Sequence, residues 1–91
     1  MNDTERILGE RQRTHGSFET HAEMSQGFKA CMARGQSWNK LSPVQREALE
    51  MIVHKVARIL NGDPNHIDHW ADCSGYSTLV VNDLKKKEAK A

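Results

Sequence analysis

The segment SPVQREALEMIVHKVARILNGDP, residues 42–64, carries the strongest helix signals in the chain. Ser42 is a predicted N-cap, Pro43 takes the first helical position, and Gln45 completes a capping box. Apolar residues then recur at about 100° per residue, which is the period of an amphipathic helix; they are Leu49, Ile52, Val53, Val56, Ile59 and Leu60. The pattern predicts a helix from Pro43 to near the last of these residues, with Gly62 available for a left-handed C-terminal turn.

Three further helices are predicted around this segment. The first covers Thr4 to Arg13, and the second follows the N-cap Ser17 and ends near Ala33. In the fourth, Asp63 is the N-cap, and the helix runs from Pro64 to about Leu84. The short link before it predicts that the third and fourth helices form an antiparallel hairpin.

The fold class predicted from these elements is all-α, a four-helix arrangement built on the antiparallel hairpin and completed by oligomerisation. A single domain is expected over residues 1–84, followed by a charged, solvated C-terminal tail at residues 85–91. Hydrophobic residues make up 37% of the 91 residues, below the usual share of about 45–50%, which also counts glycine. The core is therefore expected to be thin, which favours a homodimer or a higher homo-oligomer.

Charge and composition exclude several classes of protein. Lysine and arginine number 13 and acidic residues 12, so the net charge is +1. That balance argues against a membrane-surface protein and against a protein that binds extended nucleic acid. The sequence has no apolar stretch of transmembrane length and no secretory signal. Its two cysteines form no disulfide framework, so a cytoplasmic location is expected, in the host cytoplasm if the chain is phage-encoded.

Four carboxylates are the first candidate functional residues. Glu47 and Glu50 lie on the third helix, and Asp68 and Asp72 lie one turn apart on the fourth. At a rise of about 1.5 Å per residue in an antiparallel hairpin, Glu50 lies level with the pair of Asp68 and Asp72 to within about one turn, whereas Glu47 lies higher, level with Tyr76. Mg²⁺ prefers oxygen ligands and also bridges to substrate phosphates. We therefore predict that these four acids are catalytic and bind Mg²⁺, with Mn²⁺ as a possible substitute.

Five other residues are candidates for binding a nucleotide substrate. Lys55 and Arg58 carry charges that would neutralise phosphate, and His54 shares the face of Arg58 on the third helix. His15 is expected in a loop with Arg11 and Arg13 nearby, where it would contact phosphate, cap a helix or simply be solvated. Trp70 would stack on a base or pack in the core or an interface.

The polar stripe of the third helix has two interpretations. Glu47, His54 and Arg58 point almost opposite the apolar stripe, as in a solvated face with pairs between Glu50 and His54 and between His54 and Arg58. The metal-site interpretation requires a second surface over this face, either from the second helix or from a partner subunit.

Several short segments together carry a family resemblance. They are Glu10-Arg11, Thr14 to Phe18, Gln45 to Glu50, Lys55 to Leu60, Gly62-Asp63-Pro64, Asp68 to Asp72 and Gly75-Tyr76. In this combination they resemble a family of small, largely uncharacterised phage and prophage proteins, over about residues 5–82.

The second half of the chain also resembles the all-α nucleoside triphosphate pyrophosphohydrolases of the MazG and dUTPase type. Those enzymes carry an ExxE-type motif on one helix and a second acidic pair on the next. Glu47 and Glu50 match the first motif, and Asp68 and Asp72 match the second. The resemblance implies that these four acids bind Mg²⁺ and that Lys55 contacts phosphate.

The leading functional hypothesis is a Mg²⁺-dependent hydrolase that releases pyrophosphate from a (d)NTP or a related nucleotide. The alternative is a non-enzymatic phage accessory protein that binds a nucleotide signal or a host protein to counter host defence. A third hypothesis is a structural or interaction module, in which the acids only form a solvated face.

Overall fold

Residues 2–90 fold into four α-helices and one short 3-10 helix. The structure, a computed structural model, describes residues 2–90. In chain order the elements are α1 (Asp3–His15), α2 (Phe18–Met32), the 3-10 helix (Trp38–Lys40), α3 (Pro43–Asn61) and α4 (Ile67–Lys90). Residues 2–90 contain no β-strand, so the predicted all-α class is confirmed.

The starts of α2 and α3 are fixed by the predicted capping residues. The Ser17 hydroxyl accepts a hydrogen bond from the backbone N–H of Thr20 at 3.3 Å. At α3, the Ser42 hydroxyl accepts from the backbone N–H of Gln45 at 3.2 Å, and the Gln45 side chain accepts from that of Ser42 at 2.9 Å. Two N–H groups that have no partner within the helix are thereby satisfied.

The start of α4 differs from the prediction. Asp63 and Pro64 lie in a turn, and the helix begins at Ile67. The Asp63 carboxylate accepts a hydrogen bond from the backbone N–H of Asn65 at 2.9 Å, and the Asp63 carbonyl accepts from that of His66 at 3.2 Å. Asp63 therefore closes its own local turn, which delays the helix by three residues.

Two glycines allow the end of α1 to cross the end of α3. Gly62 has a φ of −120°, so the predicted left-handed turn is wrong. A Cβ atom at Gly62 would instead collide with the backbone carbonyl of Thr14, and one at Gly16 would collide with the carbonyl of Asn61. Gly16 also has a φ of +81°, a conformation that glycine adopts without strain.

The same crossing is held by hydrogen bonds to one carbonyl group. The carbonyl oxygen of Thr14 accepts from the backbone N–H of Asp63 at 3.0 Å and from Nε2 of His69 at 3.2 Å. His69 is only 2% exposed, and because a carbonyl oxygen can only accept, its Nε2 carries a proton. These hydrogen bonds connect the end of α1 to the turn after α3 and to the first turn of α4.

Helix α4 is longer than predicted. It continues past Leu84 to Lys90, and the side chains of Asp83 and Lys87 form an ion pair of 3.0 Å on it. Residues 85–90 are helical and exposed. Met1 and Ala91, which belong to the predicted domain and tail, lie outside the described residues, and the division at residue 84 stays a prediction.

The core is as thin as the composition predicts. Helix α3 packs most extensively on α4 and next on α2. Ala48 and Ala57 are the buried apolar residues of the described chain. The predicted apolar stripe of α3 is only partly covered, since Leu49 and Leu60 are exposed. No helix within residues 2–90 is both long enough and apolar enough to cross a membrane.

Candidate functional site

A cavity of about 420 Å³ lies between α1, α2 and α3. Its lining residues come from all three helices and from the α1–α2 turn; they are Leu8, Arg11, Gln12, His15, Gly16, Phe18, His21, His54 and Arg58. Two of these side chains are cationic and three are imidazoles, while no aspartate or glutamate of the described chain lines the cavity. The cavity therefore has a positive electrostatic character.

Arg58 and Arg11 supply the charge of this cavity. Arg58 is half-buried on α3. Burial lowers the pKa of its guanidinium, Asp72 opposes that shift, and the charge of Arg11 adds to it. Within residues 2–90, neither arginine has a carboxylate oxygen within ion-pair distance. Arg58 is thus a partly desolvated cation without an ion-pair partner.

Two histidines meet across the α2–α3 interface at the inner wall of the cavity. His21 is 6% exposed, and its Nε2 lies 3.2 Å from Nδ1 of His54. Burial and the nearby charge of Arg58 lower the pKa of His54 from 6.5 to about 4 and also lower the pKa of His21. Both imidazoles are therefore neutral at pH 7, and one N–H is shared between them.

The predicted loop position of His15 is wrong, because His15 is the last residue of α1, and it lines the cavity. Its Nδ1 is 2.8 Å from the hydroxyl oxygen of Thr14. Burial, followed by the charge of Arg58, lowers the pKa of His15 from 6.5 to about 4. The fixed charge of the cavity thus comes from its arginines, while its histidines offer neutral hydrogen-bonding nitrogens.

The N-terminus of α2 also borders the cavity. Gly16 and Phe18, on either side of the N-cap Ser17, both line it. The N-terminus of a helix carries a partial positive charge and backbone N–H groups that favour anions. The helix start adds to the effect of the two arginines.

Neither half of the predicted carboxylate set lines this cavity. Glu47 and Glu50 lie in a separate, open groove of about 320 Å³, together with Leu41, Pro43 and Arg46. This groove belongs to the N-terminal half of α3, whereas the cavity involves its C-terminal half.

The two aspartates of α4 are engaged elsewhere. The Asp72 carboxylate forms an ion pair of 2.8 Å with Lys55, whose side chain is 11% exposed. This contact brings together two predicted site residues. Asp68 is exposed, and its carboxylate lies 3.9 Å from Nε2 of His66. Throughout residues 2–90, no three histidine, cysteine or acidic side chains are arranged as metal ligands, and binding of Mg²⁺ by the four acids stays a prediction.

Trp70 and Lys55 are placed differently from the other predicted substrate-binding residues. The indole N–H of Trp70 donates to the carbonyl of Pro64 at 2.8 Å, and its side chain lies outside the cavity. Lys55 also lies outside it. By contrast, His15, His54 and Arg58 all line the same cavity. Three of the five predicted substrate-binding residues are therefore brought together.

A family model described as a domain of unknown function, DUF6378, matches residues 2–83. The chain belongs to this family. The matched region contains α1, α2, α3 and most of α4, so the whole cavity of this DUF6378 member lies within it. No curated protein and no solved structure matches the chain.

Helices α1 and α2 cover part of the polar stripe of α3. His54 and Arg58 are half-buried beneath α1 and α2, so the solvated-face interpretation is wrong for them. Glu47 remains exposed. The pairs predicted between Glu50 and His54 and between His54 and Arg58 do not occur within the described region, because His54 instead contacts His21.

Phe18 and His21 were not predicted from the sequence as site residues, whereas Arg11 was expected near His15, in a basic loop that would contact phosphate. A signal for the first two is present in the sequence. Phe18, His21 and Ser25 follow each other at spacings of three and four, which places them on one face of α2. That face combines two buried polar residues with an exposed aromatic one, an unusual composition for the covered side of a helix.

Proposed function

We propose that this DUF6378 chain binds a phosphate-bearing small molecule, a nucleotide, in the cavity between α1, α2 and α3. The observation that carries the proposal is Arg58, a half-buried guanidinium without an ion-pair partner in the described chain, beside a second cation, Arg11. A bound phosphate would supply the negative charge that these residues lack.

The physical argument rests on the cost of a desolvated charge. A partly buried cation loses part of its hydration, and a negatively charged hydrogen-bond partner compensates for the free energy of that loss. The guanidinium of arginine matches phosphate oxygens with two parallel N–H donors. The start of α2 adds backbone donors at the same cavity. Neutral imidazole nitrogens of His15 and His54 would complete the contacts as donors or acceptors.

The size of the cavity agrees with a small ligand. Sites for small molecules have volumes of roughly 300–1,000 Å³, and this cavity has about 420 Å³. The choice of a nucleotide among phosphate-bearing ligands follows the resemblance of the second half of the chain to all-α pyrophosphohydrolases.

Hydrolysis of the bound nucleotide is a second proposal. Glu50 lies one turn before His54 on α3, about 6 Å along the helix axis, and Glu47 and Glu50 share one groove. Glu47, Glu50 and Arg58 share one face of α3, so the groove would hold the metal on the face of the helix that also lines the cavity. When bound, Mg²⁺ would supply charge neutralisation and an activated water, with Asp68 and Asp72 as the second pair of predicted ligands.

Binding without turnover is the corresponding non-enzymatic proposal. A protein that holds a nucleotide in the arginine-lined cavity without cleaving it would remove a nucleotide signal from solution. This activity is expected of a phage accessory protein that counters host defence. Under the same hypothesis, the protein would bind a host protein instead of a nucleotide.

The antiparallel arrangement of α3 and α4 and its completion by a second copy also remain proposals. The hairpin is supported by the extensive packing of α3 on α4 and the short link between them. Association is supported by the thin core and the exposed apolar side chains of α4, which include Leu79, Val81 and Leu84. Such side chains would be covered if two copies associated.

Calorimetric titration with nucleoside triphosphates, deoxynucleoside triphosphates and pyrophosphate tests the binding proposal. Arg58→Gln removes the buried charge, and Arg13→Gln, on the exposed part of α1, removes an equal charge outside the cavity. Loss of a charge-assisted hydrogen bond predicts roughly 10- to 100-fold weaker binding for Arg58→Gln and near-native binding for Arg13→Gln. Equal affinities for both variants, or no saturable binding by the unmodified chain, would refute the proposal.

Pyrophosphate release with Mg²⁺ or Mn²⁺ tests hydrolysis separately. Glu50→Gln is the preferred variant because Glu50 forms no ion pair within residues 2–90. Turnover that disappears in Glu50→Gln while nucleotide binding persists would support the enzyme. Tight binding with no release in the unmodified chain would favour the non-enzymatic function.

A further inference from the structure

Phe18 is exposed to an extent that its surroundings do not explain. It is the first residue of α2, and 81% of its surface is accessible, the largest fraction among the exposed large hydrophobic residues of the described chain. Its side chain nevertheless lines the arginine-lined cavity. An exposed aromatic ring at the mouth of a cationic cavity is available to a ligand.

The Phe18 ring lies near the imidazole ring of His21. Its plane is inclined by only 23° to the imidazole of His21, with the ring centroids 6.2 Å apart. His21 is buried and contacts His54 on α3. The exposed phenyl ring thus lies nearly parallel to a buried, neutral imidazole, and its accessible surface is available for stacking by a further flat group.

We propose that Phe18 selects for an aromatic ring in the ligand, so that a nucleobase stacks on Phe18 while the phosphate is bound by Arg11 and Arg58. This inference rests on the proposed function and assigns to Phe18 the recognition of the nucleotide's base. A sugar phosphate or an inorganic polyphosphate would use the arginines and leave the phenyl ring uncovered.

Two features of the cavity agree with separate contacts for the base and for the phosphate. The apolar side chains of Phe18 and Leu8, which is 57% exposed on α1, both line it and both remain accessible. The charged side chains that line it are the two arginines alone, among described residues. The cavity thus combines apolar surface for a base with cations for a phosphate. Stacking tolerates different bases because each has a π-face, so the contact selects for an aromatic ring rather than one particular base.

The test compares nucleotides with the same sugar phosphate lacking a base. Affinities of the full chain would be measured for the four common nucleoside 5′-monophosphates and for ribose 5-phosphate. Stacking on one aromatic side chain predicts about 10-fold or more tighter binding of the best nucleotide than of ribose 5-phosphate. Phe18→Leu should abolish that difference without weakening ribose 5-phosphate, and Phe18→Tyr should keep it.

The outcomes separate this inference from the proposal on which it rests. Equal binding of nucleotide and ribose 5-phosphate by the unmodified chain, or a Phe18→Leu variant with native nucleotide affinity, would overturn the role of Phe18 and leave phosphate binding intact. Absence of binding for every phosphate would overturn both. A melting curve and a sedimentation profile for Phe18→Leu check folding and association, and a change in association with no change in affinity would assign Phe18 to a protein interface and overturn the inference.

Discussion

The Nε2 atom of His21 lies 3.2 Å from the Nδ1 atom of His54, across the interface between α2 and α3. One of these nitrogens must donate and the other must accept, so the contact requires two imidazoles with complementary tautomers. Protonation of both rings would place two positive charges at this distance, next to Arg58. The contact therefore links the packing of α2 on α3 to the neutral state of its histidines.

Folding stability should consequently fall on acidification. His15 and His54 have pKa values of about 4 in the folded chain, against 6.5 for an ordinary histidine. The unfolded chain therefore binds more protons between these values, and stability is full above pH 6.5 and is lost progressively toward pH 4. Each histidine contributes a slope of up to about 1.4 kcal/mol per pH unit, reduced by its solvent exposure. Urea unfolding between pH 4.5 and 7 measures this slope, and a flat profile would contradict it.

Removal of the Arg58 charge should raise the histidine pKa values. The charge of Arg58 is the second cause, after burial, of the lowered pKa of both His15 and His54. In Arg58→Gln, titration of the imidazole signals by NMR should give higher pKa values for these two residues. Arg13→Gln, which removes a charge outside the cavity, is the matched control. Unchanged histidine titration in Arg58→Gln would show that Arg58 lies farther from the imidazoles than the structure places it.

Gly16→Ala should destabilise the fold. Its Cβ would collide with the backbone carbonyl of Asn61, and its φ of +81° is strained for alanine. A loss of about 1–3 kcal/mol in the free energy of unfolding is expected from the forced backbone shift. Gly27→Ala is the control, because a Cβ there meets no atom within 4 Å inside α2, and it should stabilise the helix by about 0.5–1 kcal/mol. Similar effects for the two variants would argue against the α1–α3 crossing.

The Lys55–Asp72 pair should be structural. Lys55 is 9% exposed, and its ammonium group lies 2.8 Å from the Asp72 carboxylate. The hydrogen bond and the charge of Lys55 lower the pKa of Asp72, so this contribution is present above pH 3.8 and is lost as the pH falls through the lowered pKa. Asp72→Asn should destabilise the fold by leaving a buried cation, and Lys55→Met in the same chain should recover stability. Urea unfolding of the single and double variants checks this, and additive losses would contradict the pairing.

Local signals explain which parts of the fold were predictable. The cap of α3 uses Ser42, Pro43 and Gln45, which lie within four residues of each other and need no distant partner. Gly62 was correctly placed at the end of α3 but for the wrong reason, because its role depends on Thr14 of α1. That contact joins segments far apart in sequence, and no periodicity indicates it.

The candidate site also depends on contacts between distant segments, which the sequence does not indicate. The sequence identified His54 and Arg58 as residues on one face of α3, but the hydrophobic period marked that face as solvent-exposed. Only the packing of α1 and α2 shows that it is covered, and that Arg11 and Phe18 border the same cavity. Glu47 and Glu50 share one groove, and Asp72 forms an ion pair with Lys55. Both contacts depend on how the helices are rotated, which a linear sequence does not specify.

The most direct measurement of anion binding is an NMR titration of the five histidine imidazoles with pyrophosphate at pH 5.5, without metal. A phosphate bound at Arg58 would offset the charge that lowers the pKa of His15 and His54, so both should take up protons as the ligand saturates. Saturable shifts at these two residues and at His21, lost in Arg58→Gln, are the result we predict. Unchanged imidazole signals at saturating pyrophosphate would contradict the assignment of this cavity as the binding site.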